Sequence, residues 1–587
     1  MIAPFFDPGP DRDACGVGFI AALDRVPSHR MTSLAVECLV NLDHRGARAA
    51  DGTGDGAGLL TQVPHRLINR ELRAHGLDVP PESLGVVMCF LSPTEAAASR
   101  SIVTEAIEGE GMSVLYWRSV PTDPSVLGDH ARDVLPLIEQ AIVTGAAEGA
   151  DFERSLYLAR KRIEREATPG LSIPSASSRT VVYKGLFTAS KIAHFYRDLG
   201  DPDYETAFAI FHQRYSTNTF PSWDNAQPFR TLAHNGEINT IQSNRSWMVA
   251  REKAATPGVW GDRLSDLFPF LQPGISDSGS LDNAFELLMR SGRSLTHVKE
   301  MLIPAAWENV PDLDLDLAAF YAYHAFLTEP WDGPVAIAAT DGSSLLVGMD
   351  RNGLRPARWA ITPEVLLVAS EAGVCPGEEE KATANGQLGP GELIVFDGES
   401  GEVQHSDQVK ATLAAARPYG DWISTETLHI QASFDALADD RFDAAALSRV
   451  FGYTAEERRL IIADMARGDN PLGAMGDDTG LAVLASKPRR LTQYFHEQFA
   501  QVTNPPMDPI REKLVMSLRI QLGRRGPLLE DTPQQAHLIE LASPILSDGE
   551  LEAIVRSGDP RFFSHWIATT WAVADGPEGM ERRLDEI

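Results

Sequence analysis

Apolar and polar residues alternate in the middle of the chain in a pattern that predicts antiparallel strands. Across 334–371 the apolar runs are interrupted by the pairs Asp341-Gly342 and Asn352-Gly353. Asp-Gly and Asn-Gly pairs favour the short turns that connect hairpin strands. We therefore predict an antiparallel meander over this stretch.

Helical spacing of apolar residues appears elsewhere, near 281–302 and over 315–327. Closer to the amino end, the pattern predicts a first strand from Cys15 to Asp24. A helix follows, with Ser28 as its N-cap and Gly46 closing its end. Antiparallel strands with helices packed on them favour a layered α+β domain over a doubly wound parallel sheet.

The texture of the chain changes beyond about residue 405. Alanine-rich, charged helical segments such as "TAEERRLIIADMARG" replace the strand pattern. We predict a linker here and a second region from about residue 450 onward. The glycine-rich loop "DGTGDGAG" lacks the lysine of a phosphate-binding loop and is expected to be structural.

Composition narrows the function classes. The 587 residues carry a net charge of −30 at pH 7, which argues against nucleic acid or an anionic membrane as a partner. No apolar run approaches the roughly 18 residues that span a bilayer, and the amino end does not resemble a secretory signal. The four cysteines are widely separated, which indicates a reduced, cytoplasmic protein without a cysteine-bound metal.

A cysteine near the amino terminus raises a question of its own. Cys15 stands between a short segment rich in Pro and Asp and the run "GVGFIAAL". Either Cys15 is an ordinary residue of the first strand, or it becomes the first residue of the mature chain. Cys38, in contrast, belongs to the apolar stripe of the first predicted helix.

Two polar segments supply further chemistry. The first runs from "FHQRYSTNTF" to "LAHNGEINT" and contains Arg214, Asn235 and Gly236; the second, "ISDSGSLDN", contains Asp277. Singly, each has an ordinary explanation, such as a turn, a surface ion pair or a helix cap. Together with Cys15 they are the parts required for amide hydrolysis: a thiol, oxyanion donors, and charges that grip a zwitterion.

These motifs resemble a known family. The run after Cys15, then "DHRGARAADGTGDGAG", "HQRYSTNTFPSW" and "LAHNGEINT", are similar to the class II glutamine amidotransferase domain of glutamate synthase large subunits. The resemblance implies an N-terminal-nucleophile hydrolase with an αββα sandwich. It also implies the domain boundaries, which are 1–14 propeptide, 15–420 amidotransferase, 421–449 linker and 450–587 start of the synthase central domain.

The resemblance assigns the catalytic roles. Cys15 corresponds to the nucleophile, exposed once residues 1–14 are removed. Asn235 and the backbone N–H of Gly236 correspond to the oxyanion hole. The implied reaction is hydrolysis of L-glutamine to glutamate and ammonia.

The resemblance assigns substrate-binding roles as well. Arg214 corresponds to the residue that binds the α-carboxylate of glutamine, and Asp277 to the one that binds its α-ammonium. Arg45 corresponds to a supporting arginine near the nucleophile.

Other expectations concern what this chain lacks. In the family, ammonia is passed to 2-oxoglutarate in a part with an FMN-binding barrel and a 3Fe–4S cluster, so we expect no cofactor in this chain. A separate chain with FMN and the iron–sulfur cluster, and a small NAD(P)H-oxidising subunit, are expected partners.

Two alternatives remain open at the level of sequence. The chain could be an inactive or regulatory glutaminase-like module. It could also be another class II amidotransferase with a different ammonia acceptor, although "GAMGDDTG" is not preceded by the strand that a phosphoribosyl-diphosphate site needs.

Overall fold

The computed structural model describes residues 15–214, 220–430, 443–469, 481–489, 494 and 514–586. The chain divides into two units. The first comprises Met1–Thr427, Phe499–Ser517 and Arg524–Leu538, and the second comprises Leu428–Gln498, Leu518–Gly523 and Ile539–Ile587. Among the described residues, every helix is too short or too polar to cross a bilayer.

The first unit contains an antiparallel sheet of seven strands with the first strand of the chain at its centre. In spatial order the strands are β14 (Ala384–Gln387), β12 (Arg358–Ile361), β13 (Val365–Ala369), β1 (Gly16–Ala22), β8 (Phe208–Gln213), β2 (Ala57–Gln62) and β7 (Thr180–Gly185).

A second antiparallel sheet of five strands faces the first. Its order is β16 (Val403–His405), β15 (Leu393–Phe396), β11 (Leu345–Met349), β10 (Val335–Thr340) and β9 (Leu232–Gly236). Strand β9 lies at the edge of this sheet and packs against β1 and β8 of the other. The two sheets therefore meet where β1 and β9 approach one another.

Alternation along the strands explains the layers, because successive side chains point to opposite faces. In β1, Phe19 and Ala21 enter the core between the two sheets, whereas Ile20 and Ala22 join the core under the first helix. In β10, Ala336 lies between the sheets and its neighbours face outward. Strands β1 and β10 are thus buried on both faces.

Helices cover the outer faces. Helix α1 (His29–Asn41) packs on β1 and β8, while α8 (Asp277–Arg290), α9 (Leu295–Leu302) and α10 (Leu315–Leu327) cover the five-stranded sheet. The order helix, sheet, sheet, helix confirms the predicted αββα sandwich, an α+β fold.

A four-stranded antiparallel sheet, which the sequence pattern did not reveal, extends the first unit. Its order is β4 (Met112–Ser119), β5 (Leu137–Gly145), β3 (Leu84–Leu91) and β6 (Ser172–Ser177). Helices α3 (Ala96–Gly109) and α5 (Gly149–Glu166) pack on it around a separate core.

The remaining helices of the first unit are short or peripheral. They are α2 (His65–Ala74), α4 (Asp129–Asp133), α6 (Ile192–Phe195), α7 (Ile241–Glu252), α11 (Pro376–Glu379), α12 (Ser406–Ala414) and α13 (Tyr419–Glu426).

The second unit has a small sheet and several helices. Strands β17 (Leu428–His429), β19 (Ile539–Leu541) and β18 (Ile520–Leu522) lie in that order, with β17 parallel to β19. The described helices are α14 (Ala444–Val450), α15 (Ala455–Glu457), α16 (Ala463–Arg467), α17 (Asp548–Val555) and α18 (Gly576–Glu586).

Local predictions near the amino end are mostly confirmed. The hydroxyl of Ser28 accepts a hydrogen bond from the backbone N–H of Met31, so it caps α1 as predicted. The helix ends at Asn41, however, and Gly46 closes a separate 3₁₀ turn at 43–45. The expectation that Gly46 ends the first helix was therefore wrong, because the chain turns once more before it.

The predicted meander is two hairpins in different sheets. Strands β10 and β11 pair across Asp341-Gly342, and β12 and β13 pair with each other, all antiparallel as expected. Across 350–357 the chain crosses from the five-stranded to the seven-stranded sheet. The turn at Asn352-Gly353 lies in this crossing and closes no hairpin, since local sequence does not specify which strands become neighbours.

Candidate active site

Cys15 lies directly before β1, the central strand of its sheet, which packs against the edge strand β9 of the other sheet. It is half-buried, whereas Cys38, Cys89 and Cys375, the other cysteines of the chain, are buried. Burial raises the pKa of the thiols of Cys38 and Cys89, which makes them poor nucleophiles. Accessibility therefore favours Cys15 as the reactive thiol.

Arg214 is brought beside Cys15 by strand register. Gly16 of β1 pairs with Gln213 of β8 in antiparallel orientation, so the residues just outside this pair are Cys15 and Arg214. The backbone N–H of Arg214 donates to the carbonyl of Gly56, 2.8 Å away. The arginine is thus fixed at the end of its strand.

The charges around Arg214 identify its neighbours. Burial lowers the pKa of its guanidinium, and the charges of Cys15, Asp55 and Asp277 oppose that shift. An opposite charge shifts a pKa when it lies close by, so these three groups lie around Arg214. Residues 215–219, which belong to the same motif, lie outside the described residues.

Asn235 and Gly236 form the end of the edge strand β9, paired with Ala336 and Val335 of β10. The Asn235 side chain is buried, and among the described residues its Nδ2 has no hydrogen-bond partner. Leaving a buried donor unpaired costs about 1–3 kcal/mol, so this amide is positioned to receive an acceptor from outside.

Gly236 cannot be replaced by another residue without strain. Its φ is +135°, and an added Cβ would lie 1.9 Å from the carbonyl oxygen of Pro334. The glycine allows β9 to approach the start of β10 closely and gives its peptide N–H a fixed direction.

Asp277 is the first residue of α8, behind the N-cap Ser276. One carboxylate oxygen accepts from the N–H of Ile238 at 3.2 Å, and the other accepts from the N–H of Ser278 at 2.7 Å. Burial alone would raise the pKa of Asp277, but nearby His234 and these hydrogen bonds outweigh it, and the pKa lies below its usual value. The carboxylate therefore stays ionised at neutral pH.

Arg45 occupies the 3₁₀ turn after α1. Its Nε donates to the carboxylate of Glu371 at 2.5 Å, and His44 reaches the same carboxylate at 2.7 Å. Ser370, the residue before Glu371, donates its N–H to the carbonyl of Val17 in β1. Arg45 is thus held near the beginning of β1, on the side of β13.

Sequence reasoning missed three residues that connect these parts: His212, His234 and Ser278. The Nε2 of His212 lies 3.0 Å from the carbonyl of His234, and the Nε2 of His234 lies 2.5 Å from the hydroxyl of Ser278. His212 lies two residues before Arg214, and His234 directly precedes Asn235. This closeness in sequence was the only signal that could have found the two histidines.

A cavity of about 760 Å³ opens next to the glycine-rich loop. Its lining includes Gly54, Asp55, Phe220 and Trp223. Asp55 is also one of the charges that act on Arg214, so the cavity borders a neighbour of that residue. Its lining does not include Cys15, Arg214, Asn235 or Asp277.

One cluster elsewhere in the first unit offers metal-binding donor types. The donor atoms of His297, His324 and Asp531 lie within 4.8 Å of one another. His324 places Nδ1 2.7 Å from the carbonyl of Phe320, so its Nε2 can accept from the Nε2 of His297, 2.6 Å away. Arg293 pairs with Asp531 at 2.6 Å. A neutral imidazole pair beside an arginine accounts for the cluster as structural.

Comparison with known proteins identifies the parts of the chain. Residues 15–422 match the family described as "Glutamine amidotransferases class-II", and residues 446–587 match "Glutamate synthase central domain".

Full-length relatives are much longer than this chain. The ferredoxin-dependent glutamate synthase 2 of Arabidopsis thaliana is 40% identical over 98% of this chain and 36% of its own length. The glutamate synthase (NADPH) large chains of Azospirillum brasilense and Bacillus subtilis are 41% and 38% identical, over 99% and 98% of this chain, and 40% and 38% of their own lengths. The chain thus spans little more than a third of these relatives.

Among solved structures, a glutamine phosphoribosylpyrophosphate amidotransferase from B. subtilis is 16% identical and covers 55% of this chain and 48% of its own, with a TM-score of 0.25. A likeness this weak carries no argument about function.

Proposed function

Because the chain belongs to the class-II glutamine amidotransferases, we propose that it hydrolyses L-glutamine to L-glutamate and ammonia with the thiol of Cys15 as nucleophile. The observation that carries the proposal is the buried amide of Asn235, whose Nδ2 has no hydrogen-bond partner in the described part of the chain. It lies beside Gly236, on a strand packed against the strand that follows Cys15.

Removal of residues 1–14 is part of the proposal. A free α-amine has a pKa near 8 and can take the proton of the adjacent thiol, whereas the peptide nitrogen present before cleavage has no useful basicity. Residues 1–14 lie outside the described residues, so this step is supported by the chemistry of an amino-terminal cysteine.

The reaction then follows from the site. The thiolate of Cys15 attacks the carboxamide carbon of glutamine, and the resulting oxyanion accepts hydrogen bonds from Asn235 Nδ2 and the N–H of Gly236. Collapse of this intermediate breaks the C–N bond and releases ammonia, leaving a thioester. Water attacks the thioester through a second oxyanion in the same hole and releases glutamate.

Substrate is held by its charged end. The planar guanidinium of Arg214 suits a bidentate bond to the α-carboxylate, and the ionised Asp277 suits the α-ammonium. The backbone of Arg214 and the carboxylate of Asp277 are each held in place by hydrogen bonds to backbone groups before substrate arrives. We assign Arg45 a supporting role, because it acts through Glu371 near the start of β1.

We propose that the ammonia serves glutamate synthesis, the activity that the relatives' names give for them, with 2-oxoglutarate as the acceptor expected from the family. That step requires FMN and a 3Fe–4S cluster in the family this chain resembles. Cluster ligation needs several thiolates at one place, but Cys38 and Cys375 share one core, Cys89 lies in another, and Cys15 lies directly before β1 outside both. These residues do not fit the cluster, so we place the second step in a part outside this chain, with an electron-donating subunit as a further partner.

The test is a glutaminase assay on the purified chain, with the Cys15→Ala variant as control. We expect equal amounts of ammonia and glutamate from glutamine, and no consumption of 2-oxoglutarate. Hydrolysis by Cys15→Ala at the rate of the unmodified protein would contradict the proposal. No hydrolysis by the unmodified protein, once it begins at Cys15, would favour an inactive module.

A further inference from the structure

We infer that His234 and Ser278 are positioning residues that hold the oxyanion donors at a fixed place relative to the site for the substrate's α-ammonium. The inference rests on the proposed function and extends it to two residues that do not touch the reacting atoms. It starts from a chain of hydrogen bonds that runs through three separate elements of the site.

The first link joins the two sheets. His212 lies in β8, where it pairs with Val17 of β1, and its buried ring points into the space between the sheets. Its Nε2 lies 3.0 Å from the carbonyl of His234 in β9. A carbonyl can only accept, so His212 carries its proton on Nε2. This bond fixes the peptide group that connects His234 to Asn235.

The second link joins β9 to α8. The ring of His234 places Nε2 2.5 Å from the hydroxyl of Ser278, and that hydroxyl lies 3.2 Å from a carboxylate oxygen of Asp277. Gln227 supports the same corner, because its Oε1 accepts from the backbone N–H of His234 at 2.9 Å.

The direction of the hydrogen bonds follows from the buried Nδ1 of His234, which has no partner among the residues that the structure describes. Orphaned buried N–H groups are rarer than orphaned acceptors, so the proton of the neutral ring belongs on Nε2. His234 then donates to Ser278, and Ser278 donates to the carboxylate of Asp277. The two hydrogen bonds therefore run in sequence toward the carboxylate of Asp277, the anion that would bind the α-ammonium.

The consequence is a rigid connection between recognition and catalysis. Asn235 and Gly236 follow His234 directly in the chain, and Asp277 precedes Ser278. A shift of α8 by even about 1 Å relative to β9 would displace the carboxamide of the bound glutamine relative to the oxyanion donors. Displacements of that size can lower the rate about a hundredfold.

The experiment compares two serines on one helix. Ser278→Ala removes the link to His234. Ser276→Ala instead removes the N-cap hydroxyl of α8, which accepts a hydrogen bond from the backbone N–H of Gly279. We expect Ser278→Ala to lower kcat for glutamine about tenfold, and Ser276→Ala to lower the melting temperature with kcat unchanged.

A double-mutant cycle separates positioning from general destabilisation. If Ser278 acts through the oxyanion donors, Ser278→Ala should lower kcat far less in an Asn235→Ala background than in the unmodified protein. Additive losses, equal losses in both serine variants, or normal kcat in Ser278→Ala would overturn the inference. Absence of glutaminase activity in the unmodified, matured protein would instead remove the proposed function.

Discussion

At the scale of single residues, the site depends on contrasts between similar side chains. Four cysteines are present, yet only Cys15 combines partial exposure with a place beside Arg214 and the end of β9. Asn235 is buried and Asp277 is half-buried, and their polar groups differ in partners. The Asn235 amide nitrogen has no partner in the part of the chain that the structure describes, whereas the Asp277 carboxylate accepts two backbone hydrogen bonds.

The cysteines give the first prediction. Cys15→Ala should abolish glutamine hydrolysis while leaving the melting temperature nearly unchanged, because the chain end packs little. Cys89→Ala is the matched control: it empties part of a core and should lower stability but leave kcat intact. Ammonia release and thermal unfolding are measured on both variants, and the reverse pattern would remove Cys15 from its role.

The second prediction separates binding from turnover. Arg214→Lys and Asp277→Asn should raise KM for glutamine about tenfold to hundredfold, since they contact charges that do not change in the reaction. Asn235→Ala should lower kcat about 10²–10³-fold, because its partner forms only as the oxyanion develops. Steady-state kinetics with glutamine decide it. A normal kcat with a raised KM in Asn235→Ala would contradict this division.

At the scale of elements, the site is built where the ends of β1, β8, β9 and α8 meet. Part of this could be predicted: the Ser28 cap, the hairpin turn at Asp341-Gly342 and the helices near 281–302 follow from short-range patterns. Strand β3 was missed because its run of eight buried residues, apolar except for Gly85, fits a buried helix as well as a strand. The contact of His212 with β9 could not be predicted, because it depends on which strands face one another across two sheets.

Gly236 gives an element-scale prediction. Gly236→Ala should lower kcat strongly and reduce stability, because a positive φ and a Cβ 1.9 Å from the Pro334 oxygen both require β9 to move. Gly200→Ala is the control, since an added Cβ there meets nothing within 4 Å and φ is not positive. Activity and chemical denaturation are measured together. Equal behaviour of the two variants would mean that β9 tolerates displacement.

At the scale of the whole molecule, a buried lysine links stability to pH. Lys184 of β7 is enclosed, and burial lowers the pKa of its ammonium from 10.5 to about 7, against the attraction of Asp224. Between about pH 7 and pH 10.5 the unfolded chain binds more protons than the folded one. The free energy of unfolding therefore increases as the pH rises through this range. Below about pH 7 this contribution is constant and unfavourable.

The corresponding prediction compares the unmodified protein with Lys184→Met. The free energy of unfolding of the unmodified protein, relative to that of the variant, should increase from pH 7 to pH 9. Denaturant titrations at several pH values provide the measurement. Taking the difference in free energy of unfolding between the two proteins cancels the contribution of the other titrating groups. A difference that is constant with pH would show that Lys184 keeps its ordinary pKa when folded.

In the proposed mechanism, hydrolysis begins only after residues 1–14 have been removed from the chain. The most direct measurement follows the amino-terminal sequence and the rate of glutamine hydrolysis together in preparations matured to different extents. We predict that the rate is proportional to the fraction of molecules that begin at Cys15. Full hydrolysis by protein that retains residues 1–14, or none by protein that begins entirely at Cys15, would contradict the account.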